Sequence, residues 1–235
     1  MKTILSLIIS LIIATNVQAF QVRKKIGLDV AASTLVPISM GVMVEYKVNK
    51  YVQLGFDVGY MPSPYVDLIN SVNESLGAYG ESTGEVISNS LQNSFVMSPQ
   101  VKFFPLKKFP LFISLGYTLI ALGAGINSFE TLSVVFPDFA DTGIGAFQNS
   151  TFASTDIPVT TTVHNVKIGA GIKQYFRNNI YVTGELAFFK AFYSTTTITD
   201  SNLSTLESEL DYYMNDLYVT YITIPVIGLA VGYSF

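Results

Sequence analysis

The sequence predicts an all-β protein: a closed antiparallel up-and-down barrel of eight strands that spans a membrane. Three observations predict it. The segment Ile227-Gly228-Leu229-Ala230-Val231-Gly232-Tyr233-Ser234-Phe235 puts a large apolar side chain at every second position, with Gly, Ala or Ser between. Successive strand side chains point to opposite faces. One face is therefore wholly apolar and the other has almost no bulk, which suits lipid outside and a crowded lumen inside. The same alternation recurs along the chain. The connections between alternating segments are short and long in turn, and the charges sort between them.

The N-terminus reads as a signal peptide over residues 1–19. Met1-Lys2 is a short positive region, Ile4 to Ala14 is apolar, and Val17 and Ala19 fit cleavage after Ala19. The apolar run is shorter than the ~20 residues that a transmembrane helix needs; an uncleaved anchor is the rival reading. Residues 20–235 then form a single barrel domain.

Eight segments alternate. The first, Lys25 to Ser33, presents Ile26, Leu28, Val30 and Ala32 on one face. The second, Ile38 to Asn49, presents Met40, Val42, Val44, Tyr46 and Val48. The third, Tyr51 to Met61, presents Val52, Leu54, Phe56, Val58 and Tyr60. The fourth, Phe95 to Phe104, is the weakest, because Pro99 interrupts it. The fifth is Leu111 to Gly123, the sixth Val163 to Phe176, the seventh Ile180 to Ser194 and the eighth Leu217 to Phe235. A ten-strand alternative would place an extra hairpin inside 124–162. The connections at 49–51, 105–110 and 177–179 are short, whereas 62–94, 124–162 and 195–216 are long. That is the pattern of periplasmic turns and extracellular loops.

Composition agrees with a membrane protein: 49% of the chain is apolar and 13% is charged. Transmembrane helices over Phe109 to Ile126 or Leu217 to Phe235 are disfavoured by the Gly, Pro and β-branched residues within them. The absence of cysteine excludes disulfides, thiol chemistry, thiolate metal sites and a lipoprotein anchor.

Of the 17 acids, 13 lie in the long loops, which hold no Lys or Arg. The N-terminal segment and short turns hold Arg23, Lys24, Lys50, Lys107, Lys108 and Arg177 and no acid. Acidic loops keep a surface soluble; they could also hold divalent cations or a basic partner, although no ligand-loop spacing appears.

The remaining acids, Asp29, Glu45, Asp57 and Glu185, lie in strands at the parity opposite the apolar face. So do Lys47, Lys102, Lys167 and Lys173. All eight are expected to point into the lumen and to pair there, since an unpaired buried charge is strongly unfavourable. With the turn centred on Asn178, Lys173 falls diagonal to Glu185 and the two are expected to meet. Such pairs either plug the barrel or exchange partners to admit ions. Lys190 alone sits at lipid-facing parity; it snorkels to a lipopolysaccharide phosphate, or the strand has already ended there.

Tyr46, Tyr51, Tyr60, Phe103, Phe176, Tyr193, Tyr218, Tyr221 and Tyr233 are expected to form interfacial girdles. Two loop stretches have helical spacing: Asp67 to Leu76 through Leu68, Ile69, Val72 and Leu76, and Ser201 to Met214 through Leu203, Leu206, Leu210 and Met214. His164, the single histidine, reads as a rim residue. No catalytic residue, metal site, cofactor motif or basic nucleic-acid patch is assigned.

The strand Ile227, Leu229, Val231, Tyr233 and Phe235 resembles the C-terminal targeting strand of bacterial outer-membrane β-barrels. With Val17-Gln18-Ala19 it makes the chain similar to the small eight-stranded group that includes the OmpA transmembrane domain and OmpX-like barrels, without a following peptidoglycan-binding domain. The resemblance implies residence in the bacterial outer membrane, both termini in the periplasm, and contact with outer-membrane lipid, lipopolysaccharide and the barrel-assembly machinery. Two functions stay open: a non-enzymatic protein that stabilises the membrane or meets partners through its acidic loops, and a small porin-like channel or conduit for small or apolar solutes.

Overall fold

A computed structural model describes residues 27–75, 81–91, 94–106, 109–128, 156–198 and 207–235. The segment 1–19, expected to be a signal peptide, therefore lies outside the described residues, as do Arg23, Lys24, Lys107, Lys108, Leu76, Leu203 and Leu206. The strands are β1 (Gly27–Val36), β2 (Ser39–Lys47), β3 (Val52–Tyr60), β4 (Phe95–Phe103), β5 (Leu111–Ser128), β6 (Asp156–Tyr175), β7 (Ile180–Ile198) and β8 (Thr223–Ser234). Each pairs antiparallel with the next, and β1 pairs with β8 from Asp29↔Ser234 to Val36↔Ile227, so the barrel closes with eight strands. Closure removes the free edges that an open sheet would offer to other chains.

Local chemistry explains the short turns. Asn49 accepts hydrogen bonds through Oδ1 from the backbone N–H of Tyr51 (2.7 Å) and Val52 (3.0 Å), closing the β2–β3 turn. Asn178 and Asn179 both have positive φ, 67° and 62°, in the β6–β7 turn; asparagine tolerates that region better than most residues. β4 survives Pro99 in register, with Met97↔Leu119 and Gln100↔Gly116 on either side of an interrupted stretch of ladder. The Ser98 and Thr118 hydroxyls, 2.7 Å apart, bridge the interruption from inside.

Among the described residues, three helices lie at the end opposite the short turns: α1 (Ser63–Ser75), α2 (Glu81–Leu91) and α3 (Glu207–Tyr221). The chain corrects the expected boundaries here. β8 begins at Thr223, not Leu217, because residues 217–221 complete α3. Leu217 and Tyr218 extend the apolar stripe of Leu210 and Met214, and burial of that stripe overrides the strand preference of Val219 and Thr220. α1 starts earlier than expected and buries Val66 and Ile69, while Leu68, placed on the inner face by the spacing, is 42% exposed. α2 had no counterpart in the expected helices. β5 and β6 run past Gly123 and begin before Val163, so that 124–162 is partly strand.

The outside of the barrel is the apolar face read from the sequence. Leu54, Phe56, Val101, Ile113, Leu115, Ile168, Leu186, Leu229 and Val231 are all exposed, Leu186 by 67%. Tyr46, Phe103, Phe109, Tyr233 and Phe235 lie exposed towards the short turns, and Tyr60, Phe95, Phe192 and Tyr193 towards the helices. These are two girdles bounding an apolar band. Tyr218 and Tyr221 do not belong to them: Tyr218 is buried in α3 and Tyr221 packs against the buried cluster.

Candidate functional site: a lumen filled at two levels

Strand parity turns all eight predicted charged residues inward, and all eight are buried. Seven of them form ion pairs. Asp29 and Glu45 face each other across the β1–β2 ladder, an arrangement of like charges that is destabilising unless neutralised. Three lysines neutralise it. Lys47 Nζ is 3.1 Å from Asp29 Oδ1, Lys102 Nζ is 2.7 Å from Glu45 Oε1, and Lys173 Nζ is 2.6 Å from Asp29 Oδ2 while also bonding Glu45. Gln53 Nε2 and Tyr175 OH donate to Asp29 Oδ2 at 2.9 and 2.8 Å, which satisfies lone pairs that the lysines leave. The cations also lie over rings: Lys47 over Tyr175 at 4.3 Å, Lys173 over Tyr181 at 4.1 Å and Lys102 over Phe112 at 4.7 Å.

The pairing differs from the expected one at two residues. Lys173 pairs with Thr183 in the ladder and is diagonal to Glu185, yet the two form no ion pair among the described residues. The two facing carboxylates draw Lys173 across the narrow lumen instead. Glu185 is held by Lys167, whose Nζ lies 2.9 Å from Oε1 and 3.0 Å from Oε2 and also donates to Gln100 Oε1 at 2.8 Å. Ser114 Oγ donates to the same carboxylate. The missing side chain of Gly169 makes room for it: a Cβ there would stand 2.8 Å from Glu185 Oε1 and 2.8 Å from Ser114 Oγ. Asp57 forms no ion pair among the described residues and accepts from Ser33 Oγ at 2.9 Å. It lines a small cavity with Lys102, Glu185, Gln100 and Thr183, with room for about one water molecule.

Towards the helices the lumen changes character. Leu35, Val96, Ile120, Val163, Phe189, Ile224 and Val226, all at inward parity, pack with Val66, Ile69, Val86, Ile87, Leu91, Leu210, Met214 and Leu217 of the helices. The result is an ordinary hydrophobic core built inside the mouth of a barrel. Sequence reasoning missed this plug, although its signal was present: inward positions turn from charged to apolar towards that end of the strands, as from Glu185 to Phe189 or from Lys167 to Val163.

α3 is also strapped to the side of β7 where that strand outruns β8, which ends its ladder at Lys190↔Thr223. Asn215 Oδ1, Asp211 Oδ1 and Glu207 Oε2 accept from the backbone N–H of Ser194 (2.8 Å), Thr196 (2.6 Å) and Ile198 (3.2 Å). Four helical residues rise ~6 Å and two strand residues ~6.8 Å, so one side chain per helical turn meets every second strand N–H. Two of the loop acids are thereby committed to covering a sheet edge. Lys190 donates to the carbonyl of Val219 at 2.6 Å, in the last turn of α3. The strand does not end at Lys190; β7 continues to Ile198.

No protein-family model matches the chain, and no curated protein matches it either. Three solved structures are similar to it in fold. The N-terminal β-barrel domain of Pseudomonas aeruginosa OprF is 14% identical with a TM-score of 0.40, covering 89% of this chain and 96% of that one. Acinetobacter baumannii CarO is 12% identical with a TM-score of 0.40, covering 92% and 100%. A major outer membrane protein from Thermus thermophilus is 11% identical with a TM-score of 0.42, covering 90% and 100%. The assignment of class rests on the molecule's own geometry: closed pairing, an apolar band between aromatic girdles and a buried ionic interior. It is an eight-stranded transmembrane β-barrel of the outer-membrane type.

Proposed function

We propose that the protein is a closed, non-enzymatic barrel of the bacterial outer membrane that acts through its surfaces and not through its lumen. The observation that carries this reading is double closure: a buried ion-pair network at the short-turn end and, above it, an apolar core shared with three helices. An ion crossing this path would have to displace paired charges and then enter a close-packed apolar region, and an uncompensated charge in such surroundings is strongly unfavourable. The short turns and both barrel ends of the chain then face the periplasm, with the signal peptide removed after Ala19 and insertion by the barrel-assembly machinery. The helical cap carries Asp67, Glu74, Glu85, Glu209 and Asp216 to the cell surface, where acidic side chains suit divalent cations or a basic partner.

The test is conductance of the refolded chain in planar bilayers. Wild type gives no steady openings, and Lys173→Ala alone leaves the apolar plug in place and the barrel silent. Steady openings of the wild type, altered by Lys173→Ala or Glu185→Ala, would replace this reading with the channel.

A further inference from the structure

We infer that the outer face of the β5–β6–β7 wall carries a docking site for the phosphate of a phosphorylated glycolipid in the surrounding leaflet. The inference rests on the membrane orientation proposed above. Among the strand side chains described, Lys190 is the one charged group at an outward position. A cation facing lipid is costly at mid-depth and tolerated near the interface, and Lys190 stands at the last rung that β7 shares with β8. It is opposite Val166, one outward position along the strand from His164.

His164 is set in an aromatic frame. Its Nδ1 bonds the Tyr117 hydroxyl, and its ring centroid is 5.3 Å from that of Tyr193 and 6.2 Å from that of Phe192. Its Nε2 has no hydrogen-bond partner among the described residues. The frame depends on a bulge: His164 pairs with Tyr193 and Asn165 with Ala191, so Phe192 is the extra residue. Both Phe192 and Tyr193 consequently face outward, where a regular strand would turn one of them in.

The chemistry fits one ligand class. An ammonium carries three donors, and the Val219 carbonyl occupies one of them. The others, with His164 Nε2, can meet phosphate oxygens through charge-assisted bonds. Tyr117, Phe192 and Tyr193 offer aromatic faces to a sugar ring, and the band formed by Leu115, Ile168 and Phe188 continues below for acyl chains. The occupant is therefore a phosphosugar with hydrocarbon chains, already present in the leaflet.

The full refolded chain in detergent is titrated with bis-phosphorylated lipid A, with its dephosphorylated form and with inorganic phosphate. Lys190→Gln keeps a donor for the Val219 carbonyl and removes the charge; His164→Phe keeps the aromatic packing and removes the nitrogens. Each is expected to weaken lipid A binding about tenfold, the size of one charge-assisted hydrogen bond; Lys190→Gln leaves thermal stability unchanged, and His164→Phe lowers it only slightly through the lost bond to Tyr117. Wild type is expected to prefer the phosphorylated lipid by at least as much. Equal binding by wild type and Lys190→Gln, equal binding of the dephosphorylated lipid, or inorganic phosphate binding as tightly as lipid A would each overturn the site. Conductance is read on the same preparations. A conducting barrel that binds the lipid sinks the closed-lumen proposal alone, and a silent barrel indifferent to it sinks this one alone.

Discussion

Towards the short turns, four lysines share three carboxylates inside a ring of strands. Towards the helices, the same ring encloses Leu35, Val96, Ile120, Val163 and Phe189 with no charge among them. The lower level holds strand to opposite strand, as Lys173 on β6 does by reaching Asp29 on β1 and Glu45 on β2. The upper level joins the strands to elements outside the barrel wall. The difference teaches that a narrow lumen can be closed by two unrelated means. Ion pairs are all-or-none, because removing one partner strands the other in a dry interior. An apolar plug is graded, because each lost methyl leaves a cavity in proportion to its volume.

The sharpest way to break the contrast is Glu45→Ala. It strips Lys102 and Lys173 of a carboxylate at once and is expected to cost about 4 kcal/mol, read as a lowered urea midpoint for unfolding from lipid vesicles. Little change would mean that water reaches the lower level. Met214→Ala in the plug is expected to cost about 3 kcal/mol. Its mark is local: the α3 segment becomes sensitive to protease while strand pairing, followed by heat-modifiable migration, stays intact. Loss of both together would show one cooperative unit instead of two.

A smaller effect is expected at the strap. Asp211→Ala leaves the Thr196 N–H without its acceptor and should cost about 1 kcal/mol. Asp211→Asn retains an acceptor oxygen and should be close to neutral. Amide hydrogen exchange at Thr196 separates the two variants, and equal protection in both would remove Asp211 from the edge. The smallest effect is that of salt. Raising ionic strength from about 0.1 to about 1 M shortens the Debye length from ~10 to ~3 Å, yet buried pairs are screened little, so stability of the lower level should barely move. A marked loss would place its charges in contact with solvent.

Much of the molecule is legible in the sequence. Parity alone put Asp29, Glu45, Asp57, Glu185 and four lysines inside and Leu229, Val231 and Tyr233 outside, because a strand alternates faces without exception unless a bulge intervenes. The one bulge that matters for the outer surface, at Phe192, was not legible; nothing in Ala191-Phe192-Tyr193 distinguishes an extra residue from a paired one. The partner of Lys173 was not legible either. Register gives neighbours along the wall, and Lys173 instead crosses the lumen to two acids that are remote in sequence.

The sequence by itself determined the two faces and the inward set of charges, because both follow from a period of two and the cost of charge in hydrocarbon; it left eight strands or ten, and closure settled on eight. The tertiary structure alone decided which charges pair, where β8 gives way to α3 and how the mouth is sealed. Those outcomes depend on distances across a closed ring and on burial against distant elements, and no local pattern encodes either.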